Sequence, residues 1–435
     1  MKTKTKHFRI ENVNAIIFAL FLLSGLLKAF TALAGGLPVD ITLLLAVLLV
    51  FMWIIAGRQK LTKSQAAFIP LCLFIIFTLL IFLSLIYSES PLYRYVKAFL
   101  WFTCVLAFIF PIFNQINIKF FAITIVFFTL ICAIIYSVLF TIVKDMGLGE
   151  QELYIFSSIY LELAYFIGIS IYLLFILVGN KYMGSVTSKK KSTKAVILIA
   201  LIFVYLLYAL VNTGARGPLL FFMLTIFCYL LVFKLPVGLK LNKSNSILSL
   251  GFILALILLI LFGQLNNKSF SLSNVQLSNQ STRALDRIGL LFSDDKGNSI
   301  NTRVKYLEDS TFYINKRVLF GYGFGSYGVV TTGADQKAFP HNILLESWFE
   351  LGIMGFIIIL LFILSSLIGV RKAPLLVFFQ LFLIFNQMKS SNLPDSRVFF
   401  GMLAISLLCI NLYNRKLMIN STITQNLTTV NGDQN

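Results

Sequence analysis

Two histidines occur in the chain, and only one stands where a titratable ring invites chemistry. His7 lies in a basic amino-terminal segment. His341 follows Pro340 at the mouth of an apolar run, FPHNILLESWFELGIMG (339–355). Proline suits the first turn of a helix, where its missing N–H costs nothing. That reading puts His341 and Asn342 at the positive end of the helix, a place that favours anions and a neutral, proton-accepting imidazole. Asn342 and Glu346 are four apart and share a helix face, so Glu346 is placed to orient a neighbour or polarise an acceptor. The competing reading is an interfacial histidine with no role.

Arginines supply the second kind of chemistry. In TGARGP (213–218) two glycines free the backbone before Pro218, so a second helix start points outward beside Arg216. An arginine at the membrane boundary is costly and reads by default as functional, against the alternative of a snorkelling anchor. The polar stretch 265–340 adds Arg283, Arg287, Arg303, Lys305, Lys316 and Arg317, of which Arg303 has the best case because it opens an amphipathic segment. The connection KSSNLPDSR (389–397) contributes Lys389, Asp395 and Arg397 on the same side. Arginines, two positive helix ends and one histidine suit a diphosphate. No metal site is expected, since Asp294 and Asp295 lie in a turn-like segment that reads as a solvated acidic loop. No GxSxG or other nucleophile motif occurs, so covalent catalysis has no candidate.

The elements that position these residues are membrane helices. The chain has 435 residues, 58% of them hydrophobic and 12% charged, with mean hydropathy +0.89. A soluble domain carries about 25% charged residues. Apolar runs of spanning length recur from end to end, which implies a helical bundle because every backbone polar group in lipid needs a partner within its own segment. The five cysteines all fall in apolar runs without metal or disulfide spacing. The expected fold is therefore an all-α integral membrane protein of about twelve spans, near 14–33, 39–57, 66–87, 96–113, 120–143, 155–178, 195–212, 218–233, 246–264, 343–368, 374–388 and 398–414. The first span has no cleavage site of signal-peptide type and is read as retained.

Charge orients the bundle. With the amino terminus cytoplasmic, the inner segments hold 20 of the 36 Lys and Arg, while residues 34–38 have none and 144–154 only Lys144. Both termini are then cytoplasmic, and the net charge of +19 reflects this bias, not nucleic-acid binding. The expected organisation is a tail (1–13), spans one to nine (14–264), a large outer loop (265–342), spans ten to twelve (343–414) and a tail (415–435) whose Asn/Thr-rich part from Asn420 reads as disordered. Within the loop, Val304, Leu307, Thr311, Ile314 and Val318 step by three and four, predicting a short helix that lies against the bundle. GYGFGSYG (321–328) is a turn-rich passage and not a dinucleotide loop, for no strand precedes it. Gly352 and Gly355 are expected to allow close helix packing in span ten.

TGARGPLL, then NTRVKYLEDSTFYINKRVLFGYGFGSYG, then FPHNILLESWFELGIMG, in this order across a long outer loop, resemble the O-antigen ligase and O-antigen polymerase superfamily of bacterial envelope enzymes. YSESPLYRYVKAF (87–99) and NLPDSRVFFGML (392–403) look like its weaker neighbourhoods, and the specific part runs from about 200 to 400. The resemblance implies an undecaprenyl-diphosphate glycan donor on the periplasmic side of the inner membrane, whose glycan passes to an acceptor hydroxyl, either lipid A–core or another glycan. It implies no metal or other cofactor, a diphosphate site at Arg216 and Arg303, and a role for His341 at the acceptor or leaving group. Asn342, Glu346, Arg317, Arg397 and Lys389 are the further substrate-binding candidates. A ligase is preferred over an O-antigen, capsule or exopolysaccharide polymerase, and a twelve-span transporter is the alternative of a different class. Against the transporter, no internal repeat or matched pair of broken helices is evident.

Overall fold

The computed structural model describes residues 2–33, 36, 39–56, 65–145, 150–178, 193–234 and 298–432. Among them every regular element is a helix. In chain order these are α1 (Lys2–Leu33), α2 (Ile41–Ala56), α3 (Gln65–Ser84), α4 (Tyr93–Phe113), α5 (Ile118–Asp145), α6 (Glu150–Val178), α7 (Thr193–Asn212) and α8 (Arg216–Lys234). After 235–297 come α9 (Asn298–Lys316), α10 (Tyr327–Thr332), α11 (Ile343–Val370), α12 (Pro374–Ser390) and α13 (Arg397–Gly432).

Among the described residues, seven helices are long and apolar enough to cross a membrane, and four shorter apolar helices, Ile41–Ile55, Ile197–Asn212, Arg216–Tyr229 and Pro374–Lys389, fall on further expected spans. The ninth expected span, 246–264, lies outside the described residues, as do Arg283, Arg287, Asp294 and Asp295. The protein is thus a multi-pass membrane protein built of helices. The carboxy-terminal helix runs on to Gly432, where composition suggested disorder. Extending an established helix costs little per residue, and no glycine or proline interrupts Met402 to Asn431.

The bundle packs α11 along α3, α13 along α4, α12 along α8, and α1 against α2 and α5. Its centre is aromatic: Phe74 stands 4.5 Å from Phe108 and 5.1 Å from Phe400, ring centre to ring centre, and Trp101 lies edge-on to Phe400 at 5.3 Å.

Span ten differs from its expectation. Helix α11 is broken at Gly352, whose φ of 69° belongs to the left-handed region. The break uncouples the ladder around Phe349, Glu350 and Ile353, and unpaired backbone groups at such depth cost several kcal/mol each. The glycine-rich passage supplies the partners. Tyr322 N–H donates to Phe349 O (3.0 Å), Gly323 N–H to Glu350 O (2.8 Å), and Ile353 N–H to Val318 O (2.9 Å). A Cβ at Gly352 would collide with Leu319 O, and one at Gly321 with Gly352 N. Gly352, expected to pack helix on helix, therefore lets a loop join the helix backbone.

The outer helix forms as the periodicity predicted, but another stripe faces the protein. Arg303, Tyr306, Ser310, Tyr313 and Ile314 are buried or half-buried, whereas Val304, Leu307, Thr311 and Val318 are exposed. Apolar periodicity locates a face without saying whether protein or lipid covers it. Ser310 Oγ, on the inward stripe, lies 3.4 Å from Tyr327 Oη, and Ile314 packs with Tyr322, Tyr327 and Phe349.

Candidate functional site

The site is built around residues 333–342, which tie the outer loop to α11. Asp335 accepts the N–H groups of Leu92 (2.8 Å) and Tyr93 (3.2 Å) at the start of α4, together with the Ser90 hydroxyl. Burial opposes its ionisation, yet these donors hold the carboxyl below its usual range. Two residues on, Lys337 pairs with Asp395 at 2.7 Å, which fastens the same segment to the turn between α12 and α13. Pro340 is buried, and His341 follows.

His341 is not in the helix. Its φ of 57° makes it the one non-glycine residue with positive φ among those described, and α11 starts at Ile343. Pro340 accordingly lies outside the first turn, contrary to expectation. Asn342 occupies the N-cap: its carboxamide oxygen accepts Leu344 N–H (3.0 Å) and Leu345 N–H (3.1 Å). A cap of this kind satisfies donors that a proline at N1 would have left to solvent. Asn342 thus uses its carboxamide oxygen to cap the helix. Backbone strain at a lone residue is found where the surroundings impose a function. Here it turns the imidazole between Phe339 (ring centres 4.4 Å) and Tyr306 of α9 (5.4 Å).

Tyr306 is one helical turn from Arg303, so both project toward the same side of α9. Burial lowers the Arg303 pKa, although a guanidinium stays protonated throughout the accessible pH range. Arg303 also lies within electrostatic reach of Tyr160 from α6. Lys389, in the last turn of α12, is acted on by both Arg303 and Arg216. Its stem lies over Gly217, where any side chain would collide with the ammonium. That close approach explains the glycine beside Arg216. Gly214, at φ 68°, makes the turn that starts α8 at Arg216. Lys389 of α12 thus lies over the residue that follows Arg216 and within electrostatic reach of both Arg216 of α8 and Arg303 of α9, with His341 in contact with Tyr306 on the Arg303 side of α9.

The remaining candidates fall elsewhere. Arg317 is 14 residues from Arg303, about 21 Å along a helix. It pairs with Glu89 at 2.7 Å and covers the Tyr322 ring. Arg397, the first residue of α13, turns inward, where its guanidinium and the Glu162 carboxylate both crowd Gly25 of α1. Glu346 is fully buried. One of its oxygens takes Lys97 Nζ at 2.5 Å and the other the Leu393 N–H at 2.8 Å. Two oxygens so engaged and wholly enclosed hold the protein together, in place of touching substrate as expected.

Lys97 is the residue sequence reasoning missed. It lies in α4, is 1% exposed, and also binds both oxygens of Glu350 at 2.8 and 2.7 Å, while the Phe324 ring stands 4.7 Å away. Its only signal was a lysine four residues inside an apolar helix, facing a pair of glutamates one turn apart.

A family model described as O-antigen ligase matches residues 201–360, a stretch that holds Arg216, Arg303 and His341. Over that stretch the chain is similar to the O-antigen ligase and polymerase superfamily. No curated protein matches the chain. That similarity implies a glycosyltransferase-like enzyme acting on a lipid-linked glycan and an acceptor.

Proposed function

We propose that this protein is a ligase, transferring a glycan from undecaprenyl diphosphate to a hydroxyl of lipid A–core on the periplasmic face of the inner membrane. The observation that carries this reading is the convergence of Arg216, Arg303 and Lys389, from three separate helices, beside the Tyr306–His341 pair. Holding like charges together is costly, and a diphosphate relieves that cost; arginine forks match phosphate oxygens in charge and geometry.

In the reaction, His341 accepts the proton of the acceptor hydroxyl, a role typically worth about 10²–10⁴-fold. The acceptor oxygen forms its bond to the anomeric carbon in a single inverting displacement. The bond from that carbon to the diphosphate oxygen breaks, and the lipid diphosphate leaves with the electron pair. Arg216, Arg303 and Lys389 stabilise the negative charge that builds on the leaving group. The left-handed backbone at His341 fixes where the imidazole can stand relative to those cations.

Deleting the gene and profiling surface and lipid-linked glycans tests the reading. A lost ligase strands long chains on undecaprenyl lipid. Surface lipid that carries a single repeat would instead make the protein a polymerase, and an unaltered glycan profile would remove it from glycan transfer altogether.

A further inference from the structure

The buried carboxylate of Glu346 joins the first turn of α11 to the α12–α13 turn from within, while Lys337 and Asp395 fasten the segment before α11 to the same turn at the surface. Its backbone N–H donates to Asn342 O (2.9 Å), in the turn that begins one residue after His341. Its side-chain oxygen Oε2 takes the N–H of Leu393, four residues beyond Lys389. Its other oxygen holds Lys97 on α4. The same turn is gripped from α4 by Cys104, whose thiol points at Leu393 O (3.5 Å) and Pro394 O (3.3 Å). Glu350 binds the same ammonium one turn deeper, but among the described residues its carboxylate bonds to Lys97 alone.

The geometry points to Glu346 as a positioning residue, which sets the spacing between His341 and the cationic end of α12 by tethering the α12–α13 turn to the first turn of α11. This rests on the ligase reading above, because it assigns His341 and Lys389 to opposite ends of the reacting bond. Glu346 touches no substrate. It acts through the two segments it ties, and Lys97–Glu350 is the fastener that keeps α4 against α11.

Glu346 and Glu350 differ in what a carboxamide would remove. A glutamine at 346 keeps one acceptor and presents a donor on the other side, so either Lys97 or Leu393 loses its partner. A glutamine at 350 keeps an acceptor for Lys97 and leaves the turn alone. Both variants retain side-chain volume and one carboxylate against the ammonium. A purely structural role predicts that turnover falls only in step with unfolding temperature, whereas a positioning role lowers turnover in E346Q beyond any loss of stability.

The experiment uses the full chain, purified and added to membranes of the deletion strain, which hold the native lipid-linked donor. Turnover at saturating membranes, half-saturation and thermal unfolding are measured for E346Q, E350Q, C104A and H341A. The expected result is a turnover at least about tenfold lower in E346Q, since small misplacements of reacting groups are expensive, with half-saturation unchanged within about twofold. E350Q, unfolding at a similar temperature, keeps turnover within about twofold of the parent. C104A, which loosens the same turn without touching a charge, shows a smaller loss of the same kind. Equal turnover in E346Q and E350Q overturns the inference, as does unchanged turnover in C104A where E346Q cannot be produced folded. Full transfer by H341A would instead overturn the ligase mechanism itself, so the two failures are distinguishable.

Discussion

Two charged clusters lie within a few turns of each other, and they are built on opposite principles. The outer one gathers Arg216, Arg303 and Lys389, charges of one sign, from three helices. The inner one sets Lys97 between Glu346 and Glu350, wholly enclosed and hydrogen-bonded at all four carboxylate oxygens. Compensated charges in a closed site do a scaffold's work. Like charges gathered together would be relieved by an anion, as the proposed function requires. The comparison separates residues that are easily confused in sequence, since Glu346 is five residues from His341 and shares its motif.

The sharpest break in this contrast would come at the histidine. His341→Ala is expected to lower glycan transfer by about 10²–10⁴-fold, with protein yield and unfolding temperature near the parent's. Transfer rates in donor-bearing membranes measure it, and near-normal transfer would leave the outer cluster without its catalytic partner.

Arg303→Ala and Arg216→Ala should each reduce transfer by about 10²–10³-fold. They should leave unfolding temperature unchanged or slightly higher, because one of three like charges is gone. Arg303→Lys should not restore the parent rate, as an ammonium lacks the fork. A variant that loses stability in step with activity would make the outer cluster a scaffold like the inner one.

Lys97→Met reverses the pattern. It strands two carboxylates without their cation, a change worth about 3–5 kcal/mol of stability. Thermal unfolding in detergent should show a large loss, and retained stability would deny the inner cluster its scaffold role. Next in size is Gly352→Ala, at least about 1–2 kcal/mol from the left-handed backbone alone, before the collision with Leu319 O is counted. The smallest effect is expected at Arg317→Ala: its pair with Glu89 is exposed on both sides, so the loss should stay under about 1 kcal/mol with transfer unaltered. A substantial drop in transfer there would return Arg317 to the substrate site, where its motif first suggested it belonged.

Much of the fold was legible because membrane helices announce themselves in sequence: the lipid demands long apolar segments, and eleven of the twelve expected ones coincide with helices of the structure. Arg216, Arg303 and His341 stood out as candidates for a related reason, as charge and proline beside such segments are conspicuous. The errors share one cause. Periodicity assigned an apolar stripe on α9 to the protein when the neighbouring stripe took that place. Glycines at 352 and 355 read as helix packing, where Gly352 opens the ladder to a loop 30 residues earlier in the chain. Pro340 and Asn342 competed for the helix start, and the carboxamide cap won.

What the sequence determined by itself is the class of molecule and the inventory of its chemistry: a helical membrane protein with cations and a histidine beside its apolar segments. These follow from local physics, the cost of bare backbone in lipid and of charge away from water. The tertiary structure alone decided which charges meet. Lys97 and Glu346 are 249 residues apart in the chain and 2.5 Å apart in space. No periodicity encodes that meeting, because a buried ion pair depends on which helix faces which. The same holds for Arg216, Arg303 and Lys389, whose like charges oppose one another unless the packing of α8, α9 and α12 holds them in place.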